Sequence, residues 1–390
     1  MYESLLKLYY KRFSNYEEIY QSRFNSEASI HLNISIHDNP AFIFICPEIT
    51  DLLIEIYKIN MEIQLRQMYL PKVLIQLYLV NALKDEILLT NEIEGIKSTK
   101  KEIEEAIVAQ KTNKYVRFKG LVEKYFALIQ NNNISLNTST DIRELYNALV
   151  LNEIDNQNKP DGLLFRKESV QVVSATQKEK HRGVMPESKI IESMNDSLDF
   201  LKTSALNALI KTAIFHYLFG YIHPFYDGNG RTSRFISSYL IKKELNPLVA
   251  LRLSYTIKNN IHKYYKAFEV CNDIRNKGDL TPFVLLFLKI LKEASYGIYE
   301  KICELEERLE YYENKLLQLN LKTYQKECLF ILIQNSLFEE TFVSVYRLSQ
   351  ILGKGLTSTR KVIHELEEIN LVLKQKKNRM YVYSANLDSF

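Results

Sequence analysis

The sequence predicts a mainly α-helical fold with a few short β-hairpins, and its hydrophobic pattern supports this in three ways. From Ile49 onward, apolar residues recur at helical spacing over most of the chain. Alternation of apolar and polar residues, clean over 30–36 and looser over 371–383, is confined to short stretches. Polar clusters separate the periodic stretches, as turns between helices do. The alternating stretches therefore predict hairpins attached to a helical core.

Composition bounds the size and location of the protein. A chain of 390 residues exceeds a typical single domain, so two or three units are expected, and 46% hydrophobic residues suffice for a sizeable core. The formal charge of 51 − 47 = +4 is too small at this length to imply nucleic-acid binding by itself. No signal-peptide pattern and no apolar run of roughly 18 residues is present, so a cytosolic protein without membrane association is expected. The cysteines lack Cys-x-x-Cys spacing, which favours reduced thiols: Cys46, Cys271, Cys303 and Cys328.

The N-terminal part predicts a hairpin and then a long helix. Residues 30–36 alternate and the apolar run 41–45 follows, which indicates a small hairpin. Over Val73–Glu94 a helix is predicted whose inward stripe ends in a carboxylate, because Gly95 then stops the helix. The stripe consists of Leu77, Val80, Ile87 and Glu94. A carboxylate on an inward face requires a cationic partner.

The middle of the chain predicts more helices and a second hairpin. Residues 97–160 read as helices separated by polar turns. Extended segments at 170–173 and 183–186, joined by a charged connection around Lys178, predict a hairpin.

The loop from His223 to Arg234 carries the densest set of reactive groups. Helices predicted over 211–222 and 232–243 flank it, and a proline and two glycines interrupt the helical pattern between them. A loop that ends in a helix N-terminus presents unpaired backbone N–H groups and so favours anions.

The side chains of this loop extend the same chemistry. Arg231 and Arg234, three residues apart on the first helical turn, can grip phosphate oxygens from one side. Asp227 offers a hard oxygen ligand of the kind that holds Mg²⁺ beside a phosphate. His223 has no neighbouring Cys or His that would suggest a zinc site and is therefore a candidate general base. The residues alone predict a polyphosphate site.

This loop matches the signature of Fic-domain proteins, H-P-F-x-[D/E]-G-N-G-R-x-x-R, at every defined position. The resemblance implies a helical Fic core that transfers AMP from ATP to a hydroxyl of a protein Ser, Thr or Tyr and releases pyrophosphate. It implies that His223 deprotonates the attacking hydroxyl and that Asp227 holds Mg²⁺. The nucleotide-binding positions that it implies are Gly228, Asn229, Gly230, Arg231, Thr232, Ser233 and Arg234.

Two other segments resemble parts of Fic proteins. Residues 90–95 match the inhibitory motif [S/T]-x-x-x-E-[G/N], in which Glu94 would pair with Arg234 and obstruct seating of the ATP γ-phosphate. The alternative is that Glu94 is an ordinary helix-end residue. The predicted hairpin within 163–186 resembles the Fic flap, which aligns the target segment by strand addition. Its alternative is a surface hairpin without a role.

A histidine before the loop and several residues of a predicted helix after it are also interpreted. His216 is predicted to be a packed, hydrogen-bonded core residue. Tyr265 and Asn272 lie seven residues apart on one predicted helix face, which could receive a nucleobase. Similar positions contact adenine in some Fic proteins. Tyr264 and Phe268 are predicted to lie in the core.

The C-terminal part changes character after one or two long helices predicted over 281–320. Predicted helices at 323–335, 345–352 and 357–369 and a basic hairpin at 371–383 follow the order of a winged helix-turn-helix. The expected exposed face consists of Thr357, Ser358, Thr359, Arg360, Lys361 and His364, and the wing carries Lys374, Lys376, Lys377 and Arg379. Such a patch can neutralise DNA phosphates, but winged helices also serve in protein interaction or dimerisation.

The sequence thus predicts an N-terminal region over 1–115 with an inhibitory helix at about 73–95, a Fic core with trailing helices over 116–320, and a winged-helix-like domain over 321–390. The predicted function is autoinhibited adenylyl transfer that uses ATP and Mg²⁺. Two alternatives remain: removal of AMP with Glu94 orienting water, and a DNA-binding regulator whose Fic site senses nucleotide. Three points stay open: the acceptor protein, for which the chain itself is one candidate, the use of other nucleotide donors, and the oligomeric state.

Overall fold

The computed structural model describes residues 2–11, 13–110, 116–173, 179–337, 342–377 and 380–390, and it confirms the mainly α-helical fold. The helices, in chain order, are α1 (Leu5–Lys11), α2 (Tyr16–Phe24), α3 (Pro47–Gln67), α4 (Lys72–Ile93), α5 (Lys100–Ala109), α6 (Lys119–Ile129), α7 (Ser139–Leu149), α8 (Glu187–Thr203), α9 (Ala208–Ile222), α10 (Asn229–Glu244), α11 (Pro247–Ala250), α12 (Leu253–Asn259), α13 (Ile261–Asn272), α14 (Thr281–Gln318), α15 (Thr323–Ser336), α16 (Val345–Leu352) and α17 (Leu356–Glu368). The strands are β1 (Ser29–Ile36), β2 (Asn39–Phe44), β3 (Gln171–Val173), β4 (Glu179–Arg182), β5 (Val343–Ser344), β6 (Val372–Lys377) and β7 (Met380–Ala385).

Local capping explains where several helices begin. Thr99 and Glu102 form a reciprocal capping box at the start of α5, and Thr138 and Asp141 do the same for α7. Asn207 caps α9 by accepting a hydrogen bond from the Leu209 backbone N–H. These short-range bonds satisfy donors that the first helical turn leaves unpaired.

The chain forms two compact units, one of residues 1–61 and 82–296 and the other of residues 62–81 and 297–390. The division into 1–115, 116–320 and 321–390 stays a prediction.

Helices α9 and α10 form the centre of the first unit. Nearly every residue of α9 is buried, including Phe215, Leu218 and Phe219. A helix that is apolar on all sides must be surrounded by protein, so α9 is the axis on which the neighbouring helices pack. The loop that joins α9 to α10 is the motif loop.

The predicted N-terminal hairpin is present. Strands β1 and β2 pair antiparallel, and Phe42 also exchanges backbone bonds with the 278–280 segment: its N–H donates to Gly278 O at 3.0 Å, and its carbonyl accepts from Leu280 N at 2.8 Å. The hairpin is thereby fixed to the segment that precedes α14.

The second hairpin is present with a shifted strand. Strands β3 and β4 pair antiparallel. We predicted the second extended segment at 183–186, whereas β4 covers Glu179–Arg182, which we had assigned to the charged connection. Charged residues with no alternating pattern join this strand because its pairing uses backbone groups. The predicted connection residue Lys178 lies outside the described residues.

In the second unit, three helices and a small sheet enclose one core. The sheet has the order β5-β7-β6, with β7 antiparallel to both neighbours. Helices α15, α16 and α17 pack on it around buried residues that include Leu329, Leu332, Leu348, Ile363 and Leu366. The region predicted as one or two long helices is the single helix α14 up to Gln318. In the part of the chain that the structure describes, no helix combines the length and apolarity that a bilayer span requires.

Candidate active site

The motif loop is closed by packing and by one amide side chain. Phe225 is buried and stacks on Tyr146 of α7, with ring centroids 3.7 Å apart. The Asn229 amide donates to the Phe225 carbonyl at 2.7 Å and accepts from the Phe225 N–H at 3.0 Å. The Asn229 side chain therefore holds the loop in shape, and the place of Asn229 in the anion site stays a prediction.

Two backbone positions in the left-handed region shape the turn. His223 ends α9 with φ 52° and ψ 61°, and Gly228 precedes α10 with φ 81°. A Cβ on Gly228 would also come within 3.0–3.1 Å of Val150 and Tyr146, so the position suits glycine alone. These two positions begin and end the turn that joins α9 to α10.

The first turn of α10, like that of any helix, contains backbone N–H groups that have no acceptor within the helix. The hydroxyls of Thr232 and Ser233 bond to the carbonyls of Gly228 and Gly230, at 2.9 and 3.1 Å, and both side chains are buried. Their hydroxyl groups therefore support the start of the helix. The nucleotide-binding role of Thr232 and Ser233 stays a prediction.

Arg231 is fully buried and only partly paired. Its Nη1 donates to Glu153 Oε2 at 3.3 Å, and its Nη2 lies 3.9 Å from Asp227 Oδ1. Its Nε and Nη2 are buried and have no hydrogen-bond acceptor among the described residues. Burial raises the pKa of Glu153 to about 7, with the charge of Arg231 opposing that rise. A bound anion such as a phosphate would supply the acceptors that these buried donors lack.

Arg234 is also buried, but its donors are occupied by α4 and the residue after it. Its Nε donates to Thr90 Oγ1 at 2.7 Å, and its Nη2 donates to the Thr90 carbonyl at 3.0 Å and to Glu94 Oε1 at 2.7 Å. Glu94 thus has the cationic partner that its place on the inward stripe required. Gly95 follows with φ 72°, as expected of the glycine that ends the helix.

The carboxylate of Glu94 lies directly against the first turn of α10. A Cβ on Gly230 would come within 2.1 Å of Glu94 Oε1. The absence of a side chain at Gly230 is what allows this approach. Glu94 therefore occupies the place beside a helix N-terminus where an anion is electrostatically favoured.

We call the N-terminus of α10 together with Arg231 and Arg234 the phosphate cradle. His223 and Asp227, the two residues assigned to chemistry, lie at its edge. His223 is partly exposed at the end of α9. The Asp227 side chain is 41% exposed, so its carboxylate can reach a solvated metal ion. The structure places Asp227 beside Arg231, which suits a cation and a phosphate bound next to each other.

Tyr265 and Asn272 share α13 as predicted. Tyr265 is 48% exposed, and Asn272 Oδ1 accepts from the Tyr217 hydroxyl at 2.7 Å, which fixes the orientation of the amide. Among the predicted core residues, Tyr264 is buried, and the His216 ring bonds Ser237 Oγ at 2.7 Å and Tyr264 Oη at 2.6 Å. Burial lowers the pKa of His216 to about 3, with the charge of Arg234 adding to the effect.

Sequence reasoning missed three charged residues near the loop: Glu86 and Arg166, which are buried, and Glu153, whose side chain is largely buried. Glu86 lies on α4 one turn before Thr90, and its carboxylate accepts from Ser254 N at 2.9 Å and Ser254 Oγ at 2.6 Å. Its spacing from Thr90 was a usable signal, because both fall on the inward face. Arg166 directly follows an apolar run before the second hairpin, which hinted at burial. Glu153 carries no distinguishing pattern.

Comparison with known proteins identifies the loop and its surroundings. Residues 136–241 match the Fic/DOC family, so the chain contains a Fic domain. The chain is 42% identical over 87 residues to "Protein adenylyltransferase Fic" of Aedes aegypti, a match that covers 22% of this chain and 15% of that protein. It is 34% identical over 123 residues to "Protein adenylyltransferase fic-1" of Caenorhabditis briggsae, which covers 31% and 22%. The chain thus matches only a minor part of the length of these relatives.

A solved structure shares the fold over a longer span. A Fic family protein from Desulfovibrio desulfuricans G20 superposes with a TM-score of 0.54 at 20% sequence identity, and the match covers 88% of this chain and 97% of that one. At this identity the similarity concerns the fold alone.

Proposed function

We propose that this Fic-domain chain is a protein adenylyltransferase that moves AMP from ATP to a hydroxyl of a protein Ser, Thr or Tyr and releases pyrophosphate. The observation that carries the proposal is the cradle at the start of α10, where the buried Nε and Nη2 of Arg231 have no acceptor in the described part of the chain. A triphosphate supplies the acceptors that these donors require. The acceptor protein has an exposed hydroxyl, and a second copy of this chain qualifies.

The reaction that fits these residues is a direct in-line transfer. His223 takes the proton of the incoming hydroxyl, whose oxygen forms a bond to the α-phosphorus while the bond to the pyrophosphate oxygen breaks. The helix N-terminus and Arg231 stabilise the charge on the phosphates. Asp227 would hold Mg²⁺, which offsets charge on the leaving pyrophosphate. Tyr265 and Asn272 would receive the adenine.

We also propose that Glu94 inhibits this reaction. Its carboxylate pairs with Arg234 and lies against Gly230, so it adds a negative charge beside the site for the outer phosphates. Glu94→Gly removes that charge and returns the donors of Arg234 to the nucleotide. Transfer should therefore rise markedly.

Labelled ATP with Mg²⁺ tests both proposals. Protein label should appear with Glu94→Gly, exceed that of the unchanged chain, and vanish in the Glu94→Gly, His223→Ala double variant. Mass spectrometry of the product should show added AMP. Nucleotide binding without any label would support a sensor instead. Release of AMP from a modified acceptor by the unchanged chain, but not by Glu94→Gly, would support removal of AMP.

A second proposal concerns residues 321–390, which we infer form a winged helix that binds duplex DNA. The order of α15, β5, α16, α17, β6 and β7 supports it, and so does a set of exposed basic side chains. Arg347, Lys354, Arg360, Lys361, Lys376 and Lys377 are exposed, and no ion pair involves them among the described residues. Lys374 differs, because it pairs with Glu367 at 3.3 Å.

Two expected members of this surface need comment. Thr359 was predicted on the exposed face, but it is buried and its hydroxyl bonds the Tyr324 hydroxyl at 2.5 Å, because its position on α17 turns it toward α15. Arg379 lies outside the described residues.

Binding to random duplex DNA at several salt concentrations tests the proposal. Affinity should fall steeply as salt rises, and the Arg360→Gln, Lys361→Gln double variant should reduce the slope by about 2, one unit for each lost phosphate contact. No association at low salt would leave a protein-interaction or dimerisation module. We also infer a cytosolic location, which the unpaired pattern of cysteines supports.

A further inference from the structure

Arg166 is a buried guanidinium that the proposed reaction does not use. Its side chain is 0% exposed, and the hydrogen-bond acceptors of its guanidinium in the described ranges are backbone carbonyls rather than carboxylates. A buried charge is costly unless its donors are satisfied. The donors of Arg166 are satisfied by neutral acceptors. Such contacts hold neighbouring segments in place and do not neutralise the charge of the guanidinium.

The acceptors are backbone carbonyls from three separate segments. Nη1 donates to Glu168 O at 2.7 Å, before β3, and Nη2 donates to Val184 O at 2.8 Å, after β4. Nε donates to His223 O at 2.8 Å, and Nη2 is also 3.4 Å from Ile222 O. One planar group therefore connects both ends of the second hairpin to the end of α9.

Backbone bonds reinforce the same junction. The Arg166 N–H donates to Pro224 O at 3.1 Å, and the Val184 N–H donates to Ile222 O at 3.1 Å. The segments that flank the hairpin thus run beside residues 222–224 on both sides. His223, whose φ of 52° is unfavourable for a residue with a side chain, is held from the side by these contacts.

Gly183 shows how tightly the junction is packed. A Cβ there would come within 2.3 Å of Arg166 Nη2 and 3.0 Å of His223 Cβ. No side chain fits between the hairpin and the guanidinium. The hairpin base, Arg166 and His223 form one contiguous packed unit.

We propose that Arg166 is a positioning residue that fixes His223 relative to the two ends of the β3–β4 hairpin. The fixed position brings an acceptor hydroxyl next to the imidazole that deprotonates it. This rests on the proposed transfer of AMP. The planar fork is essential, because a lysine ammonium in the same place cannot reach carbonyls in this spread of directions. The phosphate cradle of α10 makes none of these contacts and should be unaffected.

The test uses Glu94→Gly as the parent and compares Arg166→Lys, Arg166→Gly and the control Lys167→Met in it. Lys167 is the exposed basic neighbour in sequence. Self-labelling is followed in single turnover over a range of ATP concentrations. Loss of positioning should lower the maximal rate of Arg166→Lys by about 100-fold, with half-saturating ATP unchanged within about twofold. Lys167→Met should match the parent.

Chemical rescue separates geometry from a damaged fold. Added guanidinium, but not methylammonium, should restore part of the Arg166→Gly rate because it can refill the planar site. A maximal rate for Arg166→Lys within threefold of the parent would overturn the proposal. So would a rate loss matched by an equal loss of ATP affinity, which would indicate general collapse of the site.

Hydrogen exchange distinguishes this proposal from failure of the proposed function. If the Glu94→Gly parent does not label, adenylyl transfer itself is wrong. The anchoring role can still be measured, because the amides of Arg166, Gly183 and Val184 should exchange faster in Arg166→Lys while those of the α10 core do not. Unchanged exchange at these three amides would overturn the role of Arg166 independently of activity.

Discussion

Arg231 and Arg234 stand one helical turn apart and differ in what occupies their donors. Arg234 gives its Nε and Nη2 to Thr90 and Glu94, whereas two buried donors of Arg231 have no acceptor in the described ranges. A buried unpaired donor costs about 1–3 kcal/mol, which a bound anion recovers. In the proposed reaction, Arg231 therefore keeps donors for a phosphate, and Arg234 supplies donors only after Glu94 moves away.

This difference predicts that nucleotide binding by the unchanged chain depends on Arg231. Arg231→Gln removes charge-assisted bonds worth about 1.5–3 kcal/mol, so the Kd of a non-hydrolysable ATP analogue should rise about 10- to 100-fold. Calorimetry measures it. The control is Arg308→Gln, which removes a surface arginine of α14 paired with Glu304 at 3.4 Å. A Kd within threefold of the unchanged chain would contradict the assignment of Arg231 to phosphate.

At the residue scale, the sequence revealed the functional residues within one loop and missed the residues from distant parts of the chain that contact this loop. His223, Asp227 and the two arginines could be found because they are neighbours in sequence. Glu153 reaches Arg231 across 78 residues, and Arg166 reaches His223 across 57. A lone charged residue has no pattern that distinguishes such a contact from solvent exposure, so only the folded chain identifies it.

At the element scale, one face of α4 makes the contacts that attach the helix and also, in the inhibition that we propose, leads to the carboxylate that obstructs the site. Glu86 and Thr90, both on α4, and Glu94, just after its end, lie at intervals of four residues. Glu86 bonds Ser254 at the start of α12, and the other two bond Arg234. The same packing that stabilises the helix therefore places its terminal carboxylate in the cradle.

Thr90→Val should loosen this obstruction without removing it. Valine matches the shape of threonine but leaves the Arg234 Nε without its side-chain acceptor. The lost bond, worth about 1–1.5 kcal/mol, should raise self-labelling about five- to tenfold, which is less than Glu94→Gly gives. The labelled-ATP assay measures the rate.

Thr90→Ser keeps the hydroxyl and is the matched control, with a rate close to that of the unchanged chain. Added to Glu94→Gly, Thr90→Val should cause no further increase, because the obstruction is already gone. Equal rates for the Val and Ser variants would show that the Thr90 hydroxyl does not contribute to inhibition.

Helix ends were predictable where local chemistry sets them. The helix predicted over Val73–Glu94 is observed as Lys72–Ile93, because Gly95 provides the left-handed position that stops it. Strand β4 was misplaced because its charged residues carry no alternation. Thr359 was misplaced because its hydroxyl makes it look polar, although its turn of α17 faces the core.

At the scale of the whole molecule, the net charge and the residue counts do not show where individual charges lie. The formal charge of +4 suggests no particular surface, yet exposed basic residues are concentrated on α16, α17 and β6. The same holds for buried charge, because Glu86 is one of 47 acidic residues and no composition argument singles it out. Burial raises the pKa of Glu86 to about 7 from 4.5, against the lowering effect of Ser254 and Arg234.

This shift predicts that the stability of the whole fold depends on pH through Glu86. The folded pKa is raised above the unfolded value, so the neutral carboxyl is favoured by folding, and stability is lost as pH rises from about 4.5 to about 7. The loss is on the order of 3 kcal/mol for a shift of this size. Glu86→Gln keeps the shape and cannot ionise, so its advantage in the free energy of unfolding should be larger at pH 8 than at pH 5. Urea unfolding at both pH values measures this difference. The control is Glu92→Gln, which lies on α4 as Glu86 does and removes an exposed partner of Lys258; its free energy of unfolding should change little between the two pH values. The prediction is contradicted if Glu86→Gln and the unchanged chain differ in free energy of unfolding by the same amount at both pH values. Glu86 would then have the same pKa in the folded and unfolded states, because its bonds to Ser254 offset the cost of burying the ionised carboxylate.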